Sequence, residues 1–139
     1  MYKMTEKLTK YAETLTAAKE MGQEFMWQTL METGEKMPPF PKEEMKEKNR
    51  VNECISTVYI TADKEGGKVF YKAYSDTDLV RGMIFILVDS LSGKSSQEIK
   101  EEMPSQIEEF NSITQINKSL SSRRANAFSA IFEFMRNIA

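Results

Sequence analysis

The 139-residue sequence has no histidine and only one cysteine, Cys54. Zinc sites built from cysteine and histidine, Ser-His-Asp or Cys-His catalytic sets, and C-x-x-C redox pairs all require residues the chain does not carry. One thiol cannot close an internal disulfide, which fits a reducing compartment or indifference to redox state. A carboxylate-only metal site is the metal centre that the composition still allows. Neither sign of charge dominates: 19 Lys and Arg stand against 21 Asp and Glu, for a net charge of −2. With a pI near 5.4, no basic field invites nucleic acid or an anionic membrane. The longest apolar run, Met83 to Val88, is far too short to span a bilayer. The opening M-Y-K-M-T-E-K-L-T-K has an early acidic residue and no apolar centre, unlike a signal or transit peptide. The expectation is one cytoplasmic domain over residues 1–139, long enough to bury its own core, with no nucleic-acid or membrane partner.

The chain begins helical. Thr5 is a natural N-cap, and Leu8, Ala12, Leu15 and Ala18 recur at helical spacing. After Gly22 a second helix carries Phe25, Met26, Leu30 and Met31 and should end near Gly34. Met37-Pro38-Pro39-Phe40-Pro41 reads as an extended connector, and Lys42 to Lys48 as a short solvated helix or turn. The texture then turns to β. Ile55 to Thr61 is rich in branched and aromatic residues, Asp63 to Gly67 supplies a hairpin turn, and Val69 to Tyr74 returns. A strand reaching back to Cys54 would put its thiol on the side of Val58 and Ile60, toward or under the core.

Ser75-Asp76-Thr77-Asp78 opens a helix with capping side chains and negative charge at its positive end. From Leu79 to Leu91 that helix is apolar nearly all round, so it should be the buried centre, with Gly82 marking close approach of another backbone or a neutral position. Gly93-Lys94-Ser95 imitates the end of a phosphate-binding loop, but the other glycine would fall at Val88 and the segment follows a helix, so it reads as a terminating turn. Ser95 with Glu98 and Ser105 with Glu108 resemble capping boxes starting two short helices, the second beside Pro104. Ile113, Ile116 and Leu120 suggest a packed connector. Ser121 or Ser122 should cap a last helix carrying Phe128, Ile131, Phe132, Met135 and Ile138 inward. Strands followed by helices argue an α+β fold, a small antiparallel sheet of about three strands packed against several helices.

On composition alone an unpaired cysteine is a small buried hydrophobe before it is a nucleophile. Glu53 beside it would raise its pKa, and Arg50 would act the other way. Four segments in order nevertheless carry a resemblance. Asn49, Val51, Cys54, Ser56, Val58 and Tyr59 are similar to the acceptor-cysteine signature of the SufE family, an Asn, a branched residue and then Gly-Cys-x-Ser-x-Val-Trp. Glu32 to Pro38 resembles that family's E-L-G-x-x-L-P segment, Ser75 to Gly82 its S-D-x-x-I-V-K-G helix start, and Arg124 to Phe128 its R-x-N-G-L/F motif. Glu53 and Ala127 stand where the family has glycine, and Tyr59 where it has tryptophan.

The resemblance implies a SufE/NifU-like fold and a sulfur-transfer accessory protein with a reactive cysteine rather than an independently turning-over enzyme. Cys54 would take persulfide sulfur from a SufS- or CsdA-type cysteine desulfurase, stimulate it, and hand the sulfur to a cluster scaffold for iron–sulfur cluster assembly. The pyridoxal phosphate would belong to the desulfurase, with no cofactor or metal on this chain. Ser56, Asp76 and Arg124 would support the cysteine loop or the docking face, and the loop would sit in an apolar cavity and swing out on docking. Two alternatives stay open: an adaptor that binds a desulfurase without accepting sulfur, and an acceptor feeding tRNA-modifying sulfur chemistry.

Overall fold

The computed structural model describes residues 4–54, 56–119 and 126–139. Among them are five α-helices and one hairpin: α1 (Glu6–Met21), α2 (Gln23–Gly34), β1 (Val58–Glu65), β2 (Lys68–Ser75), α3 (Asp78–Leu91), α4 (Met103–Thr114) and α5 (Ala127–Asn137). Helix α3 is the hub, in contact with α1, α2, α5 and β2. Its Met83, Ile84, Ile86, Leu87 and Leu91 are all completely buried, as its all-round apolar sequence requires. Thr5 caps α1, its hydroxyl accepting the Leu8 N–H at 3.3 Å. Lys7 and the Tyr11 hydroxyl then reach Asp89 at 3.1 and 2.8 Å, tying α1 to the hub.

Helices α2 and α3 meet through glycine. A Cβ on Gly82 would collide with the Leu30 carbonyl, and one on Gly34 would lie 2.9 Å from the Gly82 nitrogen. Of the two readings of Gly82, close backbone approach is the one that holds.

The hairpin turns on Gly66 and Gly67 alone, with φ of 59° and 78°. Positive φ at both positions is the turn geometry that matches strand twist, so Asp63 to Glu65 stay in β1 instead of joining the turn. The expected three strands are two among the described residues. Residues 47–49 wind into a 3₁₀ turn, so only an isolated Arg50–Tyr59 bridge occupies the third-strand lane beside β1. Nor does β1 reach back to Cys54; it starts at Val58.

The two short helices expected after Gly93 are one. Ser95 and Glu98 do form a reciprocal capping box, each backbone N–H donating to the other's side chain at 3.1 Å. The helix then continues through a π-helical turn, Glu98–Glu102, straight into α4. Ser105 therefore caps nothing; its hydroxyl donates within the helix to the Glu102 carbonyl. Pro104 has no N–H to give the Lys100 carbonyl four residues back. The Arg136 guanidinium from α5 supplies it instead, at 2.9 and 3.1 Å. Ile113, expected in a packed connector, lies on α4 and is exposed, whereas Ile116 is buried. Helix α5 begins at Ala127 behind Asn126 in the left-handed region, and buries Phe128, Ile131, Phe132 and Met135. Leu120, Ser121, Ser122 and Arg124 lie outside the described residues.

Candidate functional site

Cys54 sits in the loop between Val51 and Val58, shut at its base by the Val51 N–H donating to the Val58 carbonyl at 2.9 Å. Inside the loop the Cys54 N–H donates to the Val51 carbonyl at 3.3 Å, a tight turn that puts Asn52 and Glu53 outside. Val51 is fully buried, Ser56 is 6% exposed and Cys54 8% exposed, and the thiol belongs to the main apolar cluster. The inward direction expected from strand parity is thus reached by a turn. Glu53, which stands where the similar motif has glycine, costs no backbone strain, because positive φ among the described non-glycine residues falls at Gln115 and Asn126.

Burial pushes the Cys54 thiol up to about 11, with the Glu53 carboxylate adding to the effect. A closed Cys54 therefore carries far less thiolate at neutral pH than an exposed cysteine. In this position it is a poor nucleophile.

The loop is braced from the β2–α3 turn. The Thr57 N–H donates to an Asp76 carboxylate oxygen at 3.2 Å, and the Asp76 N–H returns a longer bond to the Thr57 carbonyl at 3.4 Å. The Thr77 hydroxyl lies 3.0 Å from the Ser56 hydroxyl and 3.2 Å from the same Asp76 oxygen. Ser56 and Asp76 therefore converge on the cysteine loop, and Arg124 lies outside the described residues. Asp76 and Thr77, read from sequence as helix caps, turn away from the helix: Thr77 at the N-cap makes no side-chain capping bond. Thr77 is the contributor that sequence reading missed, since its spacing fitted an ordinary cap. Arg81, one turn into α3, donates to the Ser75 carbonyl at 3.0 and 3.3 Å and pairs with Asp78 at 3.2 Å, fixing the turn that holds Asp76. Among the described residues no three Cys, Asp or Glu side chains cluster as metal ligands, and no helix is long and apolar enough to cross a membrane.

The fold and the site define a class by structure alone: a hub-helix α+β domain with one sheltered thiol on a hydroxyl- and carboxylate-braced loop. Comparison with known proteins gives that class its family. The family model for SufE, the Fe-S metabolism associated domain, matches residues 9–139. An uncharacterized SufE-like protein of Synechocystis is 40% identical over 113 residues, 81% of this chain and 69% of that one. The Plasmodium vivax cysteine desulfuration protein SufE is 36% identical over 107 residues, covering 74% of this chain and 40% of that protein. The chloroplastic/mitochondrial SufE-like protein 1 of Arabidopsis thaliana is 30% identical over 115 residues, 81% of this chain but 30% of its own length. The solution structure of a hypothetical protein from Thermus thermophilus shares the fold, with a TM-score of 0.69 at 24% identity over 98% of this chain and 95% of that one.

The chain belongs to the SufE family.

Proposed function

We propose that this protein is a sulfur acceptor that takes persulfide sulfur from a cysteine desulfurase onto Cys54, stimulates that enzyme, and passes the sulfur on for iron–sulfur cluster assembly. Family membership supports a sulfur-transfer role in Fe-S metabolism. The observation that carries the residue-level reading is that the only thiol is sheltered on a loop closed at one hydrogen-bonded base and held by a few polar bonds.

In the transfer the Cys54 thiol loses its proton to solvent and the thiolate attacks the terminal sulfur of the desulfurase persulfide. A new bond joins the Cys54 sulfur to that atom, the persulfide S–S bond breaks, and the electron pair leaves on the desulfurase thiolate, which takes up a proton. No external oxidant or reductant is consumed. The pyridoxal phosphate that generates the persulfide stays on the desulfurase. This protein's residues shelter the thiol, release it and present it. Since burial suppresses the thiolate, the loop opens before the chemistry, and the same burial afterwards shields the persulfide from solvent reductants. On this reading the reaction runs in the cytoplasm, where the desulfurase would be.

The test is intact-protein mass spectrometry after incubation with a SufS-type desulfurase and L-cysteine. Wild type should gain the mass of one sulfur, removable by a thiol reductant, and Cys54→Ser should gain none. Equal stimulation of the desulfurase by both proteins, with no sulfur on either, would replace this reading by the adaptor. The raised thiol pKa and Glu53 are the observations that favour that second reading.

A further inference from the structure

The outward stripe of α2 runs Glu24, Trp27, Gln28, Met31, Glu32 and Glu35 at helical spacing, all exposed. Trp27 and Met31 each keep 39% of their surface in solvent, on a helix whose other face buries Met26 and Leu30 completely. Where this stripe meets the start of α3, a groove of about 410 Å³ opens, lined by Gln28, Met31, Glu32, Glu35, Asp78 and Arg81. Its charge is unbalanced. Arg81 is the one cation in the lining and is already engaged by Asp78 and the Ser75 carbonyl. Glu32 and Glu35 have no ion-pair partner among the described residues, whose pairs lie at Lys7–Asp89, Lys10–Glu6, Arg81–Asp78 and Arg136–Glu133. Lys36 is exposed next to Glu35 and does not line the groove.

The groove is continuous with the cysteine loop through bonds already described. Arg81 forms its wall and holds Ser75; the next residue, Asp76, holds Thr57; the loop carrying Cys54 ends there. An apolar contact ringed by unpaired carboxylates, set one link from the latch of a sheltered thiol, fits a cationic protein segment better than a small ligand.

Resting on the sulfur-acceptor reading, we infer that the α2–α3 groove docks a Lys- or Arg-bearing segment of the sulfur-donating desulfurase. Met31 gives the apolar contact inside the groove, Trp27 extends it along the α2 stripe beside the lining, and Glu32 and Glu35 pair with the cations. A cation arriving at Asp78 competes with Arg81, loosening the grip on Ser75 and Asp76, so docking and release of the thiol are coupled.

The experiment measures the dissociation constant of a pyridoxal-phosphate-loaded SufS-type desulfurase at low and moderate salt, for wild type, Glu32→Lys/Glu35→Lys and the milder Glu32→Gln/Glu35→Gln. Both Glu32 and Glu35 are exposed carboxylates, and circular dichroism checks folding. Glu108→Lys/Glu109→Lys on α4 carries the same charge change away from the groove. The α2 reversal should weaken binding at least tenfold at low salt and flatten its salt dependence, the glutamine pair should do so severalfold, and the α4 pair should stay within twofold of wild type. Sulfur uptake at saturating desulfurase should remain. Groove variants that bind within twofold of wild type, or an α4 pair that weakens binding equally, would overturn the docking site while leaving the acceptor reading intact. A wild type that binds but takes up no sulfur would remove the acceptor reading and leave the groove measurable. A wild type that binds no desulfurase would overturn both.

Discussion

Two contacts made at the start of α3 differ in kind. Along its first half, Gly82 and Gly34 let two helix backbones touch with no side chain between them, a dry contact that has one fitted arrangement. Just before it, the Ser75–Thr77 turn grips the cysteine loop with a handful of hydrogen bonds to Ser56 and Thr57, each worth about 1 kcal/mol net. The first contact cannot open without unfolding the hub. The second can be undone one bond at a time while the rest of the molecule stays folded. On the sulfur-acceptor reading the thiol has to be both sheltered and delivered, and the second kind of contact suits that, with its immobile neighbour giving the latch something to be hung from.

The largest effect should come from breaking the dry contact. Gly82→Ala drives a methyl group into the Leu30 carbonyl, and neither backbone can retreat because each is part of a packed helix. Overpacking of this sort should cost about 3 kcal/mol or more and lower Tm by on the order of 10 °C, read by thermal denaturation. A variant melting within a degree or two of wild type would show that the α2–α3 contact yields.

Next comes the latch. Asp76→Ala removes the acceptor of the Thr57 N–H and of the Thr77 hydroxyl, and Thr77→Val removes the bond to Ser56. Losing about 1.5 kcal/mol from the closed loop should speed labelling of Cys54 by a thiol reagent on the order of tenfold for Asp76→Ala and less for Thr77→Val, with little change in Tm. Labelling at the wild-type rate in both would mean that something else holds the loop shut.

The buried thiol gives the comparison a pH signature. Its pKa is about 11 when folded, against about 8.5 in an unfolded chain, so below about pH 8.5 neither state loses the proton and Cys54 adds no pH dependence. As pH rises from about 8.5 toward about 11 the unfolded state ionises first, and folding stability falls by about 1.4 kcal/mol per pH unit from this group. The stability of wild type relative to Cys54→Ser should therefore decline across that window in urea titrations, and the subtraction removes the share of Tyr11 and Tyr71, whose hydroxyls burial also pushes up. A difference independent of pH up to about 10 would place the thiol in contact with water.

How much of this was legible in the sequence depended on whether the signal was local. Thr5 and the Ser95–Glu98 box are satisfied by their own neighbours, and both were found. The apolar circumference of α3 identified the hub, and Cys54 stood out because the chain has no other thiol. Reading failed where two local signals competed or a distant group decided. Ser105 looked like a second cap, but Arg136 answers the carbonyl that Pro104 leaves open, so the helix runs on. Thr77 looked like a cap, but its hydroxyl donates to Ser56 and makes no capping bond to its own helix. The expected third strand is reduced to isolated bridges, Arg50–Tyr59 beside β1 and Val69–Lys94 beside β2, which nothing in the alternation announces.

The smallest expected effect sharpens the difference between local and distant bracing. In the Ser95–Glu98 box the Ser95 N–H holds the Glu98 carboxyl below its ordinary range, with the Ser95 hydroxyl and the nearby Lys94 and Lys68 adding less. Ser95→Ala keeps that backbone donor and deletes only the hydroxyl that accepts the Glu98 N–H. The loss should thus fall at the low end for a cap, about 0.5 kcal/mol in urea denaturation, with no change in Cys54 labelling, because the box braces a helix end and not the loop. If Ser95→Ala instead exposed the thiol as Asp76→Ala is expected to, the latch would extend through the body of α3, and the division between a fixed hub and a releasable loop would have to be redrawn.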